Sequence, residues 1–122
     1  MIQVVNKRSY RQTGERHEVY IGRPSPLGNP FTVREHGREG CIEKYGVWLR
    51  RELNTNPEVK REMNRLYWLY KREGKLTLIC WCAPLACHGD VLKQIFEEMY
   101  RWEANNPSAV TTVFTDREKW PF

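Results

Sequence analysis

Three of the chain's four cysteines and one of its three histidines fall within nine positions, as Cys80, Cys82, Cys87 and His88 of the segment LICWCAPLACHGDVL at 78–92. Thiolate and imidazole are the preferred donors of zinc, so the set supplies four ligands for a structural ion, or three plus water for a catalytic one. The same residues suit a second chemistry. A cysteine at a helix start has its thiolate stabilised by free N–H groups and the macrodipole, which makes Cys87 a candidate nucleophile with His88 or Asp90 as base or orienting group. A third chemistry belongs to the backbone. The run CHGD opens a helical pattern, Gly89 permits close approach, and a helix N-terminus attracts phosphate or carboxylate. Asp90 equally suits a plain first-turn acid. A zinc deaminase is excluded, because no His-x-Glu occurs and Cys82 and Cys87 lack the Cys-x-x-Cys spacing.

The elements around this turn read clearly. The apolar, β-branched run IQVV at 2–5 predicts a strand, the polar segment 6–17 a loop or wide hairpin, and EVYIG at 18–22 a second strand. In RPSPLGNPFTV, Pro24, Pro26, Pro30 and Gly28 exclude regular structure and fix a rigid loop. Ile42, Tyr45, Leu49 and Leu53, with Trp48 beside them, predict a helix over 40–54. Asn56 as cap, Pro57, Glu58, a Val59/Met63/Leu66/Tyr70 stripe and Gly74 as stop predict the next over 57–73. LTLICW at 76–81 has the unbroken hydrophobicity of a strand covered on both faces. The stripe Val91, Leu92, Ile95, Phe96, Met99 and Trp102 predicts a last helix, ending near ANNP. This order implies a small single α/β domain over 1–106, with a partly parallel central sheet flanked by about three helices, and a tail at 107–122 that adds an edge strand. In such sheets ligands sit beyond the carboxyl ends of the strands, where the loop from 22 and the turn from 80 both begin.

Composition narrows the partners. At 122 residues the chain has the size of one domain. No stretch approaches a membrane span, and the polar N-terminal segment lacks the apolar run of a signal peptide, so a cytoplasmic protein with reduced cysteines is expected. The net charge of +5 is uneven: 1–38 carries Lys7, Arg8, Arg11, Arg16, Arg23, Arg34 and Arg38 against Glu15, Glu18 and Glu35. Arginine's planar fork suits phosphate oxygens, which points to a phosphate-bearing small molecule, with nucleic acid as the alternative. Arg23 and Asn29 are the residues expected to hold it, by charge and by amide hydrogen bonds. Cys41 reads as a small buried residue; Trp48, Trp68, Trp81 and Trp102 read as core or half-buried aromatics, of which an exposed pair would stack on bases.

The run VYIGRPSPLGNPF, a helix bearing CIEKYGVWL, and LTLICWCAPLACHGDVL together resemble the bacterial and phage family of domain of unknown function 4326. The likeness extends over about 2–97 and implies that Tyr20, Gly22, Arg23, Gly28, Asn29, Pro30, Phe31, Cys80, Cys82, Pro84, Cys87, His88 and Asp90 occupy the family's motif positions. On that ground Tyr20, Gly22, Gly28 and Phe31 join Arg23, Asn29 and Gly89 as the expected ligand-binding set. The resemblance implies no activity. Two functions from different classes are expected: a nucleotide- or nucleoside-type pocket formed by 22–31 and 80–90, acting on a nucleotide or sugar phosphate if an enzyme, or a zinc-stabilised module that grips nucleic acid or protein.

Overall fold

The computed structural model describes residues 1–83, 85–109 and 120–121. The expected tail strand and the motif proline at 84 fall wholly or largely outside them. Three strands, β1 (Ile2–Asn6), β2 (Glu18–Tyr20) and β3 (Leu76–Cys80), form one sheet in the order β1-β3-β2. Both outer strands run parallel to β3, with Val4 and Val19 each opposite Leu78. The wide hairpin over 6–17 therefore does not form: β3 lies between the two strands that it would have joined.

Every residue of β3 is buried, so both faces of the central strand are covered. Three helices follow the strands, α1 (Val33–Thr55), α2 (Pro57–Glu73) and α3 (His88–Asn105), making an α/β fold of a single small domain. Helix α3 lies against β1 and β3, α2 against β3, and α1 against both other helices. Leu49, Leu53, Met63, Leu66, Leu78, Leu92, Ile95 and Phe96 fill the space between them.

Local chemistry sets the helix ends. Asn56 caps α2 by accepting from the N–H groups of Glu58 and Val59, and Gly74 stops it in the left-handed region at φ 76°. Tyr67, rather than Tyr70, continues the buried stripe; Tyr70 is half-buried. Helix α1 begins at 33 instead of 40, because Thr32 caps an added first turn by accepting from Glu35 N–H, and Gly37 at φ 71° turns the chain between that turn and the main helix. Its buried face is Cys41, Tyr45, Leu49 and Leu53, which leaves Ile42 half-buried beside it. Across α2 and α3, the buried Glu103 accepts from Tyr67 Oη at 2.7 Å and Lys71 Nζ at 3.1 Å. Trp120 is buried against the same helices, its indole N–H donating to Asn64 Oδ1 at 2.9 Å. No helix among the described residues is long and apolar enough to cross a membrane.

Candidate functional site

Because all three strands are parallel, their carboxyl ends share one edge of the sheet. From β2 the chain passes through the buried pair Ile21 and Gly22 into two successive turns, closed by Ser25 N–H to Gly22 O and Gly28 N–H to Ser25 O, both 2.9 Å. The Arg23–Pro24 peptide bond within the first of them is cis. Gly28 lies so close to the start of the loop that a Cβ there would come within 2.9 Å of Arg23 N, and one on Gly22 would collide with the Tyr20 phenol. The buried Tyr45 of α1 pins the loop by donating to Leu27 O at 2.6 Å. Asn29 ties it down a second time, its Oδ1 accepting from Phe31 N–H at 2.9 Å while its Nδ2 donates to Cys41 Sγ at 3.1 Å. The Cys41 thiol in turn donates to Phe31 O at 3.2 Å.

The turn after β3 is held from three sides. Asn6, at the end of β1, donates its amide N–H groups to Trp81 O at 3.0 Å and Ala83 O at 2.9 Å. Arg38 of α1 donates to Ala86 O at 3.0 Å. Asp90 closes the helix end: its Oδ2 accepts from Cys87 N–H at 3.0 Å, while Cys87 Sγ accepts from Gly89 N–H at 3.3 Å.

The thiols and the imidazole have partners within the fold. The sulfurs of Cys80 and Cys87, both buried, are in contact at 3.4 Å as free thiols. Cys80 is held below the ordinary thiol range because Cys87 donates to it, helped by the N–H groups of Ala83 and Cys82. Cys87 is pushed up by its role as donor and by burial. His88 Nε2 lies 2.8 Å from Ile21 O, so that nitrogen carries the proton, and burial lowers the ring's pKa, keeping it neutral. The Tyr45 ring meets the imidazole edge-on at 5.2 Å. Cys87 thus reads as a capping thiol and Asp90 as its capping carboxylate, as the first-turn reading of Asp90 anticipated. Gly89 is buried, and the group that approaches it closely is the sheet itself, since a Cβ there would meet Val4 Cγ1 at 2.7 Å and Ile21 Cδ1 at 3.1 Å. Among the described residues no three His, Cys, Asp or Glu side chains gather as metal ligands do.

Between the loop and the turn lies a cleft of about 340 Å³. Cys82, Cys87 and His88 contribute from the turn, Gly22, Arg23, Asn29 and Phe31 from the loop, and Arg38, Cys41 and Ile42 from α1. The two segments far apart in sequence therefore meet on one concave surface, with Arg23 and Cys87 in the same wall. Cys80, Gly28, Gly89, Asp90 and Tyr20 stand outside that wall and brace it. The lining adds residues outside the expected ligand-binding set, among them Arg38, Ile42 and Trp81, the last 51% exposed with its indole N–H donating to Tyr20 Oη at 3.1 Å.

The chain belongs to the family described as domain of unknown function DUF4326, whose sequence model matches residues 4–98, a span containing both the loop and the turn. No curated protein and no solved structure matches the chain.

Proposed function

We propose that this protein binds a nucleotide- or nucleoside-type ligand in the cleft between 22–31 and 80–90. One observation carries the reading: a single cleft is lined by two arginines, Arg23 and Arg38, together with the apolar and aromatic side chains of Phe31, Val33, Ile42 and Trp81. Its volume falls within the range of small-molecule sites, about 300–1,000 Å³. Such a wall suits a ligand with a flat apolar part and an anionic part, the base or sugar lying against the aromatic side and the phosphate between the arginines. Arg23 is exposed and makes no ion pair with a carboxylate among the described residues, so its charge is open to a ligand.

In this reading Cys87 and His88 form part of the floor and Asp90 braces it from outside: the capping pair fixes the first turn of α3, and the imidazole ties it to Ile21, just past β2. A thermal-shift screen of nucleoside phosphates and sugar phosphates tests the proposal. Binding raises the melting temperature by mass action. Arg23→Ala then removes about 1.5–3 kcal/mol of affinity, the worth of hydrogen bonds to a charged group, and moves the melting temperature of the free protein by no more than about 2 °C. A ligand bound equally well by Arg23→Ala contradicts the assignment.

A further inference from the structure

We propose that the occupant of the cleft is the end of a single-stranded nucleic acid, whose chain continues over Trp81 to Lys7 and Arg8. The inference rests on the nucleotide reading of the cleft and extends it from one unit to a strand.

Some helix cations sit against carboxylates, Arg65 with Glu62 at 2.7 Å, Lys71 with Glu103 at 3.1 Å and Arg50 with Glu98 at 3.6 Å, while others, such as Lys44, Lys60, Arg61 and Lys93, form no ion pair among the described residues. At the carboxyl edge of the sheet, Lys7, Arg8, Arg23 and Arg38 form no ion pair with a carboxylate among the described residues. Like charges gathered at one edge repel, and a polyanion offsets that repulsion.

The four cations stand on two sides of one indole. Arg23 and Arg38 line the cleft together with Trp81. Lys7 Nζ and Arg8 Cζ lie 5.9 and 5.8 Å from the Trp81 ring but are not part of the cleft wall. Lys7 is also 5.1 Å from the Tyr20 ring, to whose hydroxyl the indole is hydrogen-bonded. Lys7 follows β1, Trp81 follows β3 and Arg23 follows β2, so the row crosses two inter-strand spacings, about 10 Å. One phosphate held by Arg23 and Arg38 leaves Lys7 and Arg8 unused. A chain of phosphates reaches both groups, and the half-exposed indole between them offers a face for the next base, the sequence-tolerant mode by which proteins hold single strands. A duplex is a poorer fit, because its bases are already stacked on one another and cannot turn towards the indole.

The test is a titration of thymidylate and uridylate ligands (monophosphate, triphosphate, dimer, tetramer and octamer) into the wild type, Lys7→Ala/Arg8→Ala and Arg23→Ala. Tetramers should bind at least about ten-fold tighter than the monophosphate, with log K against log salt steepening by about 0.7 for each phosphate neutralised. Lys7→Ala/Arg8→Ala should weaken the tetramer, flatten its salt slope by about 1.4, and leave the monophosphate unchanged; both side chains are exposed, so the fold tolerates their loss. Trp81→Ala should weaken the tetramer by at least about five-fold, the low end of base stacking on an aromatic side chain, and Trp81→Phe should restore most of it. A tetramer no tighter than the monophosphate overturns the strand while leaving the nucleotide reading standing, provided Arg23→Ala still weakens monophosphate binding. A triphosphate that matches the tetramer and loses as much in Lys7→Ala/Arg8→Ala also overturns it, in favour of a single polyphosphorylated nucleotide. Absence of binding by every member sinks both readings together.

Discussion

At 3.4 Å the sulfurs of Cys80 and Cys87 are too close for both to be charged, and the surrounding N–H groups decide which one is. Those of Ala83 and Cys82 point to Cys80, while Cys87 receives only that of Gly89. Cys80 is therefore the acceptor, and Cys87 keeps its proton. Thiolate absorbance at 240 nm followed against pH should show one thiol ionising below the ordinary range, with its midpoint moving upward in Cys87→Ala as the donated hydrogen bond is lost. A midpoint unmoved by that substitution would mean that the contact does not set the ionisation. The residue types at this turn announced soft-ligand and nucleophile chemistry, and the sequence alone left metal, thiol and anion readings open. It could not reveal that His88 is turned to Ile21 O, or that the Asn29 amide donates to Cys41 Sγ, because those partners lie elsewhere in the chain.

Element by element, legibility followed the strength of local signals. Helix α2 was readable to its ends because a cap, a proline, an acidic first turn and a left-handed glycine are all local. The start of α1 was hidden, since the charged run 33–39 has no apolar period and Gly37 interrupts it. Sheet order was out of reach too: nothing in 2–5 or 18–22 says that 76–80 lies between them, yet that order brings the loop and the turn to one edge. Packing of α3 on the sheet gives a test at this scale. Gly89→Ala forces a methyl to 2.7 Å from Val4 Cγ1, an overpacking that should cost about 1–3 kcal/mol in urea unfolding. Gly46→Ala, in the interior of α1 with its nearest neighbour at 3.8 Å, should instead stabilise by about 0.5–1 kcal/mol. Equal effects at the two glycines would show that α3 has room to move off the sheet.

For the whole molecule, proton linkage and charge placement are the informative properties. Glu18 accepts from the Tyr10 hydroxyl and from the N–H groups of Thr13 and Gly14, which hold its carboxyl at about 2 against an ordinary 4.5. Its folded value lies below its unfolded one, so its contribution is complete above 4.5 and disappears as pH falls through about 2. The buried His88 acts in the same direction at higher pH: its contribution is complete above 6.5 and is lost as the unfolded chain takes up protons below that. The melting temperature of the wild type should therefore exceed that of Glu18→Gln by a constant margin near neutral pH, and the margin should close between 4.5 and 2; a margin that persists to the acid end would remove Glu18 as the cause. Lys7, Arg8, Arg23 and Arg38, none of them in an ion pair with a carboxylate among the described residues, stand at the carboxyl edge of the sheet, beside or in the cleft. The measurement that tests this most directly is a two-dimensional ¹H–¹⁵N spectrum of the labelled protein titrated with a nucleoside monophosphate. Saturable shifts confined to amides of 22–33, 38–42 and 81–89, and lost in Arg23→Ala, are the expected result. Shifts that never saturate, or that fall on the outer surface of α2 while these amides stay still, would contradict the cleft as the binding site.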